Sequence, residues 1–169
     1  FFYAKAIRPV FVKIPEEAKV PGDDDKCWEL EMSLYGTRDA ALNWTEAYTR
    51  VLTEKLGFTQ GKSSPCAFFS RRFGVRTVVH GDDFVAVGPR QHLASTRKTL
   101  EDKYKLKTQV LGRGDGEEKE IRILNKVVRL TPEGIEFEAD PRHVELTVRD
   151  LGLSPAKIST VPGAKEIQA

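Results

Sequence analysis

Two short apolar runs hinged on a glycine and two aspartates constrain this chain more than any other feature. Val75-Arg76-Thr77-Val78-Val79 precedes Gly81-Asp82-Asp83, and Phe84-Val85-Ala86-Val87 follows. Strand-like runs on either side of such a tip predict an antiparallel β-hairpin. The prediction displays Asp82 and Asp83 at the bend of a stiff ribbon. Adjacent carboxylates repel unless a cation lies beside them. Hard divalent ions such as Mg²⁺ take carboxylate oxygens, and two-metal sites hold their ions roughly 3.5–4 Å apart. The same residues also have a plainer use, because Gly and Asp suit hairpin turns for backbone reasons alone. On the hairpin by itself both readings stand.

With 169 residues the chain is long enough for one domain with its own core. The apolar share of 40% and charged share of 31% are those of a soluble globular protein. No apolar run approaches the ~20 residues of a membrane-spanning helix. Phe1-Phe2-Tyr3-Ala4-Lys5-Ala6 lacks the charged start and long apolar stretch of a signal peptide. A net charge of +2 gives no bulk argument for nucleic acid. Its distribution says more: Arg97, Lys98, Lys103, Lys105 and Lys107 form one basic stretch, and Arg71, Arg72 and Arg76 another. Solvated charged faces are the plain reading of both. Cys27 and Cys66 lie far apart, which suits reduced thiols in a reducing compartment. Two leading phenylalanines and the single Met32 suggest a piece of a longer polyprotein.

Strands are expected over 7–14, 27–32 and 66–70, on both arms of the hairpin, and over 121–124, 126–131 and 134–138. Residues 105–110 read as a strand or extended segment. A helix is expected from Thr37, as its cap, to about Leu56, with Asp39 favouring the positive end of the dipole. Its apolar stripe is Ala40, Ala41, Trp44, Ala47, Tyr48, Val51, Leu52 and Leu56, read as core. Gly57 ends it. A second helix opens at Gly88-Pro89 and runs to about Tyr104, with Leu93, Arg97, Leu100 and Tyr104 on one side. A third runs from Asp140-Pro141 to near Gly152. Residues 159–169, with Pro162-Gly163, read as an exit linker from a domain spanning 1–158. This order predicts an α+β fold: an antiparallel sheet covered by helices. Carboxylates at a hairpin tip with helices behind them are the layout of a polymerase palm.

Four stretches, in order, carry a family resemblance. Ser33-Leu34-Tyr35-Gly36-Thr37-Arg38-Asp39-Ala40-Ala41-Leu42-Asn43-Trp44 resembles the Ser-Leu-Tyr-Gly-Leu-Lys-Gln-Ala-Pro-Arg-x-Trp stretch of copia-type retrotransposon reverse transcriptases. Leu56-Gly57-Phe58 with Ser63-Ser64-Pro65-Cys66 resembles that family's Leu-Gly-Phe and Ser-Asp-Pro-Cys pair. His80-Gly81-Asp82-Asp83 stands where it has Tyr-Val-Asp-Asp. Val10-Phe11-Val12-Lys13-Ile14-Pro15 resembles its Val-Tyr-Val-x-Gln-Pro. The likeness runs from residue 1 to about residue 162.

The resemblance implies a palm with partial fingers and the templated addition of deoxynucleotides to a primer. Its partners would be an RNA or DNA template-primer, deoxynucleoside triphosphates and the rest of a retrotransposon polyprotein, with no membrane. The setting would be intracellular and cytoplasmic, in a virus-like particle. Two Mg²⁺ ions, or Mn²⁺, would serve as cofactor. Carried over, Asp82 is the principal metal ligand and Asp83 a supporting one. Tyr35 and Gly36 fall beneath the template and incoming nucleotide. Phe1 falls where an aromatic gates out the ribose 2′-hydroxyl, and Lys107 where a lysine protonates the leaving pyrophosphate. For Phe1 a plain core position, and for Lys107 a solvated charge, are the alternatives.

The sequence also departs from the family. His80-Gly81 replaces Tyr-Val, and Asp39 and Ala41 replace Gln and Pro. The family's first catalytic Asp would stand five positions before Phe1, outside this chain. A competing reading is a catalytically dead or domesticated palm that binds nucleic acid through its basic stretches. The isolated chain is expected not to polymerise efficiently. Primer extension with Mg²⁺ or Mn²⁺ checks this: residues 1–169 should give no product above background, and robust synthesis would refute the expectation.

Overall fold

Strand β1 (Phe11–Lys13) pairs antiparallel with β2 (Cys27–Glu29), Val12 opposite Trp28. This ribbon is shorter than the expected 7–14 and 27–32. Pro9 offers no N–H to a ladder, and the further pairing is an isolated bridge between Lys5 and Met32. The structure is a computed structural model that describes residues 2–138 and 141–153. It divides into two compact units, Phe1–Lys107 and Thr108–Ala169. The expected exit linker at 159–169 lies outside the described residues.

Helix α1 (Ala40–Arg50) continues into a single π-helical stretch, Val51–Lys55, before Gly57 ends it at φ +65°. Its cap is Asp39, not Thr37. The Thr37 hydroxyl donates instead to the Leu34 carbonyl at 2.8 Å, closing the turn ahead of the helix. The Asp39 carboxylate is taken by the Arg8 guanidinium. The buried stripe is Ala40, Asn43, Trp44, Tyr48, Val51 and Leu52. Ala41 is exposed, and Asn43 takes an inward place because its amide donates to the Ser33 hydroxyl at 2.9 Å.

Behind α1 lies a four-stranded antiparallel sheet in the order β3 (Thr59–Gln60), β4 (Ala67–Ser70), β5 (Val75–His80), β6 (Asp83–Val87). The two-residue β3 was not expected from sequence. It is too short to show an alternation. Strict alternation along β5 buries Val75, Thr77 and Val79 and exposes Arg76, Val78 and His80. Helix α2 (Arg90–Glu101) follows, with Pro89 as cap residue rather than first helical residue. Its inward residues are Thr96 and Leu100, with Leu93 partly buried. Arg97 is exposed, contrary to expectation, and pairs with Glu101. The helix ends before Tyr104, and residues 105–110 form no strand.

The core of this unit joins both layers. Trp44, Tyr48, Val51 and Leu52 from the α1 segment meet Phe68, Val75 and Val79 from the sheet, Leu100 from the end of α2 and Tyr104 just beyond it. Helix faces packed on one sheet face give the α+β class.

The second unit carries a separate three-stranded antiparallel sheet, β7 (Glu120–Ile123), β8 (Lys126–Leu130) and β9 (Ile135–Glu138). Leu124 and Asn125 both take positive φ, 49° and 63°. Leu124 is thus a turn residue between paired Ile123 and Lys126, not the strand end that was expected. Arg129 gathers Glu120, Glu136 and Glu138 on one face. Helix α3 (Pro141–Asp150) follows. The expected single sheet is therefore three sheets among the described residues.

Leu52 is fully buried. Leu52→Ala should cost about 2–5 kcal/mol of stability, read from the midpoint of urea unfolding.

Candidate active site

The acidic tip is a two-residue turn. His80 and Asp83 are the last paired residues of the hairpin, so Gly81 and Asp82 alone make the bend. Gly81 takes φ +59°, while no described non-glycine residue of the turn has positive φ. Left-handed backbone at the first central position only is the type II′ pattern, which matches the twist of the strands and selects glycine.

This geometry separates the two carboxylates. Asp83 opens β6, and strand alternation sets it with Val85 and Val87 on the face opposite Phe84. Phe84 packs against the core. Asp82 lies on the core side of the tip, in a cleft of about 240 Å³ with Phe2, Tyr3, Tyr35, Trp44, Phe84, Tyr104, Lys105 and Leu106. Both aspartates are exposed.

Two side chains from one segment hold the tip. The Tyr35 phenol donates to Asp82 Oδ2 at 2.8 Å, and the Trp44 indole N–H donates to the Gly81 carbonyl at 2.8 Å. The loop that carries Tyr35 is itself anchored. Ser33 N–H donates to the Ala4 carbonyl at 2.7 Å, and Gly36 turns at φ +87°. A Cβ on Gly36 would meet nothing within 4 Å, so the left-handed turn is the requirement seen there. Across the cleft, the Tyr3 hydroxyl accepts the Lys105 N–H at 3.0 Å.

Of the residues singled out from sequence, Asp82 and Tyr35 come together directly, with Gly36 beside Tyr35. Asp83 neighbours them on the other face of the sheet. Lys107 is exposed and is not among the residues lining the cleft; Lys105 is. Phe1 lies outside the described residues. Sequence reading missed the roles of Trp44 and Tyr104 here. Both sit at helical core spacing, and nothing in that spacing shows that Trp44 aims its nitrogen at the turn.

Among the described residues, no group of three or more His, Cys, Asp or Glu side chains could hold a metal ion. Asp82 and Asp83 supply hard oxygens that suit Mg²⁺, an ion commonly held by one or two carboxylates plus substrate phosphates. The donor set fits the ion on those terms. No helix among the described residues is long and apolar enough to cross a membrane.

The cleft shifts two phenols. The hydrogen bond to Asp82 holds the Tyr35 proton above its ordinary range, because ionising would set two negative oxygens in contact. Burial pushes Tyr104 up to about 12.

Residues 1–113 match the family described as reverse transcriptase (RNA-dependent DNA polymerase). The chain belongs to that family, whose members are nucleotidyltransferases acting on nucleic-acid templates with deoxynucleotides. No curated protein and no solved structure matches the chain.

Alkaline titration followed by phenolate absorbance should resolve both phenols. Asp82→Asn should lower the ionisation of Tyr35 towards 10.0, its ordinary value. Tyr104 should ionise near 12. Since the unfolded chain releases that proton first, stability should fall as the pH rises from about 10 towards 12. Tyr104→Phe should remove that slope.

Proposed function

We propose that this reverse transcriptase family chain is the palm, with part of the fingers, of a copia-type element. In the complete enzyme it would add deoxynucleotides to a primer by two-metal nucleotidyl transfer. One observation carries the reading: a glycine-dependent turn presents Asp82 to a cleft where the Tyr35 phenol holds its carboxylate. Four sequence stretches in family order support the copia-type assignment.

Phosphoryl transfer asks a protein mainly for position and charge. Asp82 would be the principal ligand of Mg²⁺ or Mn²⁺, with Asp83 supporting from the neighbouring position. When bound, the ions supply neutralisation of the triphosphate and activation of the primer hydroxyl. The chain's own residues do the rest. Gly81 sets the bend, Tyr35 orients the Asp82 carboxylate, and the aromatic floor of Trp44, Phe84 and Tyr104 excludes water beneath it. Lys105 borders the cleft and would meet phosphate oxygens there. The assignments of Phe1 as a ribose gate and Lys107 as a proton donor belong to the same proposal. So do the polyprotein context and a virus-like particle setting.

The competing reading is a palm that binds nucleic acid without catalysis. The basic stretches at 97–107 and 71–76 would carry that binding, with a steep salt dependence. Mn²⁺ titration followed by electron paramagnetic resonance, with and without primer-template and deoxynucleotide, decides between them. Asp82→Asn should weaken Mn²⁺ binding by at least about tenfold. A chain that retains primer-template steeply with falling salt, yet takes up no Mn²⁺ in any mixture, is a binding module.

A further inference from the structure

We propose that Trp44 is a positioning residue for the acidic turn. Its indole N–H, donated to the Gly81 carbonyl, sets where Asp82 stands. The inference rests on reading Asp82 as a metal ligand.

The hairpin ladder does not hold this carbonyl. The closing pair is His80 and Asp83, so the Gly81 carbonyl lies beyond the ladder's last pair. Trp44 meets it at 2.8 Å from a position 37 residues earlier in the chain. No neighbour crowds the turn there, since a Cβ on Gly81 would meet nothing within 4 Å.

The donor itself has little freedom. Trp44 is 5% exposed. Its ring packs edge-on against Tyr48, Phe84 and Tyr104, with centroids 5.6, 6.2 and 5.0 Å away. A flat ring confined on three sides delivers its N–H to one place. Tyr35 completes the arrangement from the same segment: one side chain fixes the backbone before Asp82, and the other holds its carboxylate. If Trp44 served packing alone, any ring of similar shape would replace it. The nitrogen is what distinguishes positioning from packing.

The test uses the whole 169-residue chain, labelled with ¹⁵N. Trp44→Phe keeps an aromatic ring and removes the donor. The variant should melt as a folded protein, with amide signals of Gly81, Asp82 and Asp83 moved further than those of Tyr48 and Phe84. Broadening of the Asp82 and Asp83 signals should then need several-fold more Mn²⁺ than in the parent chain. Where the Phe variant does not fold, the sulfur isostere benzothienylalanine at Trp44 keeps the ring's outline without an N–H, and the same shifts are expected. Unmoved turn signals overturn the proposal. Moved turn signals with Mn²⁺ broadening equal to the parent's also overturn it, since the contact is then structural only. A parent chain whose Asp82 and Asp83 signals ignore Mn²⁺ defeats the metal reading and the positioning role together. The amide shifts still report separately whether the tether exists.

Discussion

The packing of four aromatic rings across the hairpin base is the interaction on which the first unit depends. Phe84 leaves the acidic turn by one strand residue and enters the core. There it meets Trp44 and Tyr48 from α1 and Tyr104 beyond α2, with centroid separations of 5.9 to 6.2 Å. Each ring of such a set buries a large apolar area, and edge-to-face pairs add about 0.5–1.5 kcal/mol beyond burial. Within its sheet β6 is an edge strand paired with β5, and this cluster gives it a second hold. With it, the hairpin is fastened to both helices within a few residues of its tip.

That fastening explains why two adjacent aspartates differ in placement. Asp83 opens the strand and follows its alternation, while Asp82 stays in the bend, so the two carboxylates are set apart. Phe84 commits β6 to one orientation. Asp83 is thereby placed with Val85 and Val87, away from the core, and Asp82 is left in the bend beside Tyr35. Mutual repulsion of neighbouring carboxylates is eased by that divergence and by the Tyr35 phenol. Apolar packing here decides an electrostatic arrangement.

Local signals carried much of the fold. The alternation at 75–87, the helical stripe of α1, the stop at Gly57 and the three strands after residue 119 are short-range patterns, and short-range geometry produces them. Details changed where other partners competed. Arg8 took the Asp39 carboxylate and Ser33 drew Asn43 inward, while on α2 Thr96 is buried and Arg97 turns out to pair with Glu101. The first two depend on partners 31 and 10 residues away, beyond the reach of a short window. The likeness to reverse transcriptases was legible because its motifs are themselves local and colinear. Of the residues picked out in the sequence, the fold brings Asp82 and Tyr35 into contact, with Gly36 next to Tyr35.

The sequence by itself determined that a hairpin would display two acids at a glycine-dependent bend, since backbone sterics and residue alternation act over a few positions. Tertiary structure alone decided which acid faces the cleft, and which nitrogen and which phenol hold it. Trp44 and Tyr35 reach the turn across 37 and 47 residues of chain. Their hydrogen bonds exist only once the aromatic core has brought helix, loop and hairpin to one place.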